Sequence, residues 1–220
     1  MKYFLDTEFI EGFHKPLFGK RRHFIDLISI GIFAEDGSNY YAISNEFKYR
    51  DADEWVKENV INTISYDRTI ERSYPHVVDL LDRKRGMDAV RCIGKSNKQI
   101  AEEVLRFFGC WRDQHFYRVG KDIPEIYGYY ADYDWVLFCS LFGRMIDLPK
   151  GFPMYCKDLK QIMDEKAKQG FYPQKYRPTN LKDSLAMMKE LQRFPKQENE
   201  HNALADAKWN YELYKFLGTL

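Results

Sequence analysis

Four acidic residues and one histidine, far apart in the sequence, have the types and spacing that metal-dependent hydrolysis requires. Asp6 and Glu8 lie near the start of the chain, Asp134 past its middle, and Asp206 near its end, with His201 shortly before it. Residues i and i+2 of a β-strand point to the same face, so a strand here would place Asp6 and Glu8 side by side. Adjacent carboxylates repel each other, and their hard oxygen atoms suit Mg²⁺ or Mn²⁺ better than zinc.

The last acidic motif lies at the start of a predicted helix. The sequence HNALADA at 201–207 leads into an apolar stripe, which indicates a helix over 203–217. Asn202 is a residue type that caps helix N-termini. Such a cap holds Asp206 one turn inside the helix and leaves His201 on the entering loop. A rigid acid beside a more mobile imidazole suits hydrolysis.

The middle acid lies where a predicted strand gives way to a predicted helix. An aromatic, β-favouring run over 125–130 precedes Asp134, and an apolar-rich stretch follows it. A carboxylate at this junction can bind a metal ion and interact with the helix N-terminus. Two alternatives stay open: Asp134 could be a simple helix N-cap, and neighbouring Asp132 could be the ligand instead.

Each motif taken alone has a simpler explanation. An Asp-x-Glu pair on a strand is usually a solvated face, and a histidine before a helix is usually a loop residue or a neighbour of the cap. The three motifs together, each in its strand or helix context, make chance an improbable explanation.

The three motifs, in this order along the chain, resemble those of the DEDDh 3′-to-5′ exonucleases. This superfamily includes ribonuclease T, oligoribonuclease and the proofreading subunits of replicative polymerases. Within it, the chain is most similar to a small group of bacterial and phage exoribonucleases. The resemblance implies an α/β fold with a ribonuclease-H-like mixed β-sheet flanked by helices. It also implies two divalent cations, Mg²⁺ or Mn²⁺, with His201 as the general base and with metal ligands at Asp6, Glu8, Asp134 and Asp206.

Such a site would hydrolyse phosphodiester bonds by a two-metal mechanism. Two ions roughly 3.5–4 Å apart orient an attacking water and stabilise the leaving 3′-oxygen. His201 would take the proton of that water, because histidine side chains titrate near neutral pH. The predicted activity is a 3′-5′ exoribonuclease that acts on single-stranded RNA or a 3′ overhang and releases nucleoside 5′-monophosphates. The alternatives are DNA as the substrate, a catalytically silent nucleic-acid-binding relative, and a phosphohydrolase of small nucleotides.

The chain departs from many members of the superfamily at the rim of the site. Phe9 follows Glu8 where many members carry Thr-Gly, and Tyr129 and Tyr130 stand where many carry His-Asn. The metal ligands survive both changes, while the substrate preference stays open. Thr7 and Phe9, beside the first two acids, are predicted to contact substrate.

Basic residues supply the candidate contacts to phosphate. The formal net charge is only +1, so a surface for nucleic acid would have to be local. Arg21 and Arg22 lie in a basic, Gly- and Pro-marked stretch that begins at Lys15, and we predict that they contact substrate phosphates. The alternative is a solvated loop. An aromatic and basic segment over 169–178 could stack on unpaired bases or pack as an ordinary loop.

Length and composition are those of one domain with a sizeable core. The chain has 220 residues, of which 45% are hydrophobic and 16% aromatic, and we predict a single domain over 1–220. The stretch 49–94 is a candidate subgroup-specific insertion. The predicted strands cover 3–9, 25–33, 39–43, 91–93, 125–130 and 152–156. The predicted helices cover 53–60, 77–82, 96–108, 134–145, 157–168, 181–191 and 203–217.

Other features of the sequence narrow the setting. The four cysteines are widely spaced and form no Cys-x-x-Cys pair, which argues against a zinc site. Asp6 and Glu8 interrupt any apolar run at the N-terminus, so no signal sequence is expected there. No segment is long and apolar enough to span a bilayer, and we expect a cytoplasmic protein without membrane contact. The many aromatic residues could supply a homodimer face.

Overall fold

The protein is a mixed α/β structure built on a five-stranded sheet. The computed structural model describes residues 1–14, 18–64, 87, 90, 93–112, 117–118, 123–170 and 180–220. Its strands are β1 (Lys2–His14), β2 (Arg22–Ala34), β3 (Asn39–Ile43), β4 (Trp111–Arg112), β5 (Tyr117–Arg118), β6 (Glu125–Gly128) and β7 (Lys157–Asp158). The main sheet has the order β3-β2-β1-β6-β7, and β4 pairs separately with β5.

The main sheet has an antiparallel half and a parallel half. Strands β1, β2 and β3 form an antiparallel meander, while β6 and β7 lie on the other side of β1 and run parallel to it. Strand β6 pairs with β1 only at Lys2, Tyr3 and Phe4. Beyond Phe4, this edge of β1 has no strand partner within the described ranges, so its backbone groups are open to other contacts.

Helices cover both faces of this sheet. They are α1 (Glu54–Val56), a π-helical turn (Lys57–Ile61), α2 (Asn62–Ile64), α3 (Asn97–Phe107), α4 (Asp132–Ser140), α5 (Leu159–Gln169), α6 (Leu181–Lys189) and α7 (Ala203–Leu217), with short 3₁₀ turns at Tyr49–Asp51 and Met145–Asp147. A search of these described segments finds no helix with the length and apolar character to cross a membrane.

Alternation along β1 divides the core into two layers. Tyr3 and Leu5 pack with α3 and α4 on one face of the sheet. Phe4 packs with α5, α6 and α7 on the other face. Because successive side chains of a strand point to opposite faces, Asp6 and Glu8 lie on the same face as Phe4, toward α7.

Gly31 lets α7 lie directly against β2. A Cβ atom at this position would stand 2.2 Å from the backbone carbonyl carbon of Ala203, at the start of the helix. Further along α7, the side-chain amide of Asn210 donates to the backbone oxygen of Leu5 across 3.1 Å. The first half of α7 is therefore held closely against β1 and β2.

Most of the predicted elements are confirmed, some with shifted ends. The strand 39–43 and the helix 203–217 agree residue for residue, and Asn202 is the N-cap of that helix. The helix predicted over 96–108 is α3, and Ser96 and Gln99 form a capping box at its start. The first two strands are longer than predicted, because β1 and β2 continue their pairing as far as His14 and Arg22.

Other elements differ from the prediction. The strand predicted over 152–156 is wrong, since the strand beside β6 is Lys157–Asp158. Ile93, the described residue of the strand predicted over 91–93, is helical instead. The helix predicted over 134–145 is α4, which begins two residues earlier and ends at Ser140. The helix predicted over 77–82 lies outside the described residues.

Candidate active site

Carboxylates from the first and last acidic motifs meet in one cluster. Asp6, Glu8 and Asp206 each offer a carboxylate oxygen, and these oxygens lie within 4.8 Å of one another. Asp6 and Glu8 come from one face of β1, and Asp206 comes from the first turn of α7. Three acidic oxygens at this spacing are a donor set that suits a hard divalent cation.

Asp206 is held by the loop that leads into α7. The Asn202 side chain caps the helix by accepting from the Ala205 N–H at 2.9 Å. Asp206 Oδ2 accepts from the His201 N–H at 2.9 Å, and its Oδ1 accepts from the Gln197 side-chain amide at 2.6 Å. The Asn202 cap sets where Asp206 lies in the first turn of α7. The two bonds to its carboxylate then fix the orientation of this buried group.

Asp134 lies at the same site, where it is hydrogen-bonded to the open edge of β1. Strand β6 stops pairing with β1 at Phe4, so no described strand pairs with the Thr7 N–H on that side. Asp134 Oδ1 accepts from this N–H at 2.8 Å and from the Thr7 hydroxyl at 2.6 Å. Both groups are buried, so the two bonds fix the acid and the strand to each other.

This geometry bears on both alternatives for the middle motif. The N-cap of α4 is Ala131, whose N–H donates to the Asp158 side chain, so the interpretation of Asp134 as a simple N-cap is wrong. Asp132 is exposed and does not line the cavity that Asp134 lines.

Burial raises the pKa of all four acids. The pKa of Glu8 is raised to about 8 and that of Asp134 to about 6, in both cases chiefly by burial. The pKa of Asp6 lies well above its usual range because of burial and then of repulsion from the other three acids. Burial also raises the pKa of Asp206. These raised pKa values oppose the ionisation of the four carboxylates, and a bound cation would favour their charged forms.

These acids line one cavity of about 350 Å³ together with aromatic side chains. The described residues that line the cavity include no lysine or arginine, and His201 is the one basic side chain among them. The aromatic members of the lining are Phe9, Tyr129, Tyr130, Tyr133 and Trp209. The cavity therefore combines a strongly acidic floor with rings that can stack on planar groups.

His201 lines the cavity from the loop before α7. Its backbone has a φ of +68°, an uncommon conformation for a residue with a side chain. Its ring lies edge-to-face with the ring of Trp55, with the centroids 4.8 Å apart. The imidazole is partly exposed, so it can meet both the acids and a molecule in the cavity.

The predicted substrate-binding residues differ in where the structure places them. Phe9 lines the cavity, whereas the Thr7 side chain is buried and bonded to Asp134. Arg21 and Arg22 do not line the cavity. Arg22 pairs with His14, six residues beyond Glu8 on β1, or roughly 20 Å along the strand.

The remaining candidate contacts cannot be placed at the site. Lys15 and most of the segment 169–178 lie outside the described residues.

Several residues of the site were missed by the sequence analysis. Trp209 and Asn210 follow Asp206 at helical spacing, so the helix pattern carried a signal for them. No local sequence pattern pointed to Gln197 or Trp55. Gln197 lies in a loop and Trp55 is far from His201 in the sequence, so both reach the site only through tertiary structure.

Comparison with known proteins identifies the family. Two relatives from two strains of Mycobacterium tuberculosis, both named 3′-5′ exoribonuclease, are each 31% identical to this chain over 195 residues. The match covers 88% of this chain and 91% of each relative. The chain belongs to the family of these 3′-5′ exoribonucleases. No protein-family model matches it. The match to the exoribonucleases extends over most of both chains, so it is not confined to one shared segment.

Proposed function

We propose that the protein is a 3′-5′ exoribonuclease of the DEDDh type with a ribonuclease-H-like fold. Its substrate is single-stranded RNA or a 3′ overhang, and its products are nucleoside 5′-monophosphates. The observation that carries the proposal is the meeting of Asp6, Glu8 and Asp206, with oxygens within 4.8 Å, in the cavity that Asp134 and His201 also line. Membership of a family whose relatives are named 3′-5′ exoribonuclease supports the reaction class.

The donor set fits two divalent cations. Asp6, Glu8, Asp134 and Asp206 are carboxylates with raised pKa values, and the described lining of their cavity offers no basic side chain except His201. Mg²⁺ or Mn²⁺ prefers such oxygen ligands. When bound, these cations lower the pKa of a coordinated water and neutralise charge at the phosphate.

The chain's own residues supply the rest of the chemistry. His201 accepts the proton of the attacking water, which general bases do with a gain of about a hundredfold to ten-thousandfold in rate. Thr7 fixes Asp134, and Gln197 fixes Asp206, so that the acids need little rearrangement to bind the cations. The aromatic lining stacks on the bases of the 3′ end, a contact worth about 1–3 kcal/mol per base.

The test is a cleavage assay on labelled nucleic acid. Single-stranded RNA and DNA of the same sequence are labelled at the 5′ end and incubated with Mg²⁺, Mn²⁺ or chelator. We expect stepwise, metal-dependent shortening of the RNA from its 3′ end. Shortening of DNA alone would instead establish an exodeoxyribonuclease, and binding without shortening under every metal condition would establish a silent relative.

Two neighbouring acids of α4 provide a matched pair of variants. Asp134→Asn removes the charge of an acid inside the cavity, while Asp132→Asn removes the charge of an exposed acid two residues away. We expect the first variant to lose most of its activity and the second to keep it. Equal activity in the two variants would contradict the role of Asp134.

A further inference from the structure

Trp55 contacts the site from a part of the chain to which the proposed function assigns no role. Its ring meets the His201 ring edge-to-face, at 82° and 4.8 Å between centroids. The residue is 52% exposed, although large aromatic residues usually bury more of their surface. We call residues 54–64 the rim segment, because through Trp55 they stand at the edge of the acidic cavity.

The rim segment is firmly attached to the sheet. The Asp53 side chain caps its first turn by accepting from the Val56 N–H at 2.8 Å. Val60 and Ile61 are buried in one cluster with Ile10 of β1 and Ile28 of β2. Trp55 is therefore presented by a helical element whose other side is anchored in the core.

The backbone of His201 is fixed, but its ring needs a second contact. The His201 N–H is bound to Asp206, which determines where the side chain begins. The imidazole still has two rotatable bonds, so a backbone contact alone does not direct its nitrogen atoms toward a water. Trp55 provides a wall on one side of the ring and removes part of that freedom.

We infer that Trp55 is a positioning residue for His201, which holds the imidazole at the edge of the cavity in the orientation that accepts the proton. The inference rests on the proposed function in one respect, the role of His201 as the base. Trp55 does not line the cavity itself, so it acts through the histidine and not by contact with the reacting atoms.

The first test compares three variants of the rim segment. They are Trp55→Ala, which removes the wall, Trp55→Phe, which keeps an aromatic ring, and Glu58→Ala, a control at an exposed position. With RNA and Mn²⁺ at saturation, we expect Trp55→Ala to lower kcat by about two- to tenfold, the range that loss of an aromatic pair supports. KM should be unchanged, Trp55→Phe should recover most of the rate, and Glu58→Ala should match the wild type.

A double-mutant cycle separates positioning from direct binding of RNA. Trp55→Ala is combined with His201→Ala, and single-turnover rates are measured with enzyme in excess. If Trp55 acts through His201, its removal has no further effect once the imidazole is gone. An equal loss in both backgrounds, or a loss confined to KM, would overturn the inference in favour of a base-stacking surface.

The contact also has a readout that does not depend on activity. The imidazole C–H resonances of His201 lie close to the indole ring, so Trp55→Ala should shift them in NMR spectra while Glu58→Ala should not. Active wild-type protein with unchanged kcat in Trp55→Ala would refute the positioning role alone. Wild-type protein without activity would refute the proposed function, and the inference about Trp55 would fall with it.

Discussion

The hydroxyl group of Thr7 makes one of the buried acids easier to ionise. Burial raises the pKa of Asp134 to about 6. Thr7 donates to Asp134 through its hydroxyl and its N–H, and both bonds act against this rise. Thr7→Val keeps the shape and removes the hydroxyl. We expect the pKa of Asp134 to rise further, so the acid limb of the activity profile should move up by about one pH unit.

The measurement is the rate of RNA cleavage from pH 5 to pH 9 at a fixed Mn²⁺ concentration. Thr7→Ser serves as the control, because it keeps the hydroxyl and should keep the position of the acid limb. An acid limb that stays in place in Thr7→Val would show that this hydrogen bond does not govern the ionisation of Asp134.

Glu8 gives the metal-free protein a specific dependence of stability on pH. Its pKa is raised from 4.5 to about 8, so as the pH rises through this window the unfolded chain releases its proton before the folded protein does. The free energy of unfolding therefore falls from about pH 4.5 to about pH 8, and the raised pKa values of Asp6, Asp134 and Asp206 act in the same direction.

Urea denaturation in chelator at pH 5, 6.5 and 8 measures this effect. Glu8→Gln should flatten the fall in stability, while Glu102→Gln, at an exposed position, should not change it. An unchanged slope in Glu8→Gln would mean that Glu8 ionises as freely in the folded protein as in the unfolded chain.

Sequence information predicted the acids better than the residues around them. Asp6, Glu8 and Asp206 lie in local patterns that predict a strand or a capped helix, and these elements determine where each acid lies. Gln197 and Trp55 lie in no such pattern, and only the packing of distant segments brings them to Asp206 and His201. Arg21 and Arg22 were predicted from their charge and from their place in the connection after the first strand, and the length of the hairpin places them away from the cavity.

At the scale of elements, the contact between β2 and α7 controls the position of the last motif. Gly31→Ala would place a Cβ atom 2.2 Å from the backbone of Ala203, so the helix would have to move away from the strand. We expect a loss of at least about 1–3 kcal/mol of stability, the usual cost of overpacking. Metal-dependent activity should fall as well, because Asp206 and His201 belong to the displaced segment.

The control for this variant is Gly218→Ala at the C-cap of the same helix. There the nearest atom is the Lys215 backbone oxygen, at 3.3 Å, and the φ of −70° is ordinary for any residue. We expect a change below about 0.5 kcal/mol in urea denaturation. Equal stability of the two variants would contradict the close approach of α7 to β2.

Element boundaries were predictable where local patterns determine them. Asn202 begins α7 through its own side chain, and the predicted bounds are confirmed. The apolar pattern after Asp134 continues to Met145, but Gly143 adopts a φ of +109° and the chain leaves the helix at Ser140. The short strand Lys157–Asp158 owes its position to pairing with β6, which no local pattern of residues reveals.

For the molecule as a whole, the acidic cluster lowers the stability of the metal-free protein. Metal-free protein must hold four partly or fully buried acids together, and a bound cation relieves their repulsion. A ligand at a hundred times its Kd stabilises a protein by about 2.7 kcal/mol, so saturating Mn²⁺ should raise the Tm clearly. Asp6→Asn should be more stable than the wild type in chelator by about 1–3 kcal/mol, because the metal-free protein must either protonate the buried Asp6 or ionise it beside three other acids.

Thermal unfolding with and without Mn²⁺ at pH 8 measures both effects. In Asp6→Asn the rise in Tm with Mn²⁺ should largely disappear, whereas Asp36→Asn, in the exposed turn before β3, should behave as the wild type. A wild-type Tm that does not respond to Mn²⁺ would count against a metal site at this cluster.

The bond between Asn210 and Leu5 joins residues 205 positions apart, and this separation bears on how the protein is made. A ribosome adds about 5–20 residues per second, and the amino-terminal strands leave it well before the last helix does. Until α7 emerges, the growing chain lacks Asp206 and the loop that carries His201. The proposed active site needs residues of both β1 and α7, so it is absent from the nascent polypeptide until α7 has been made.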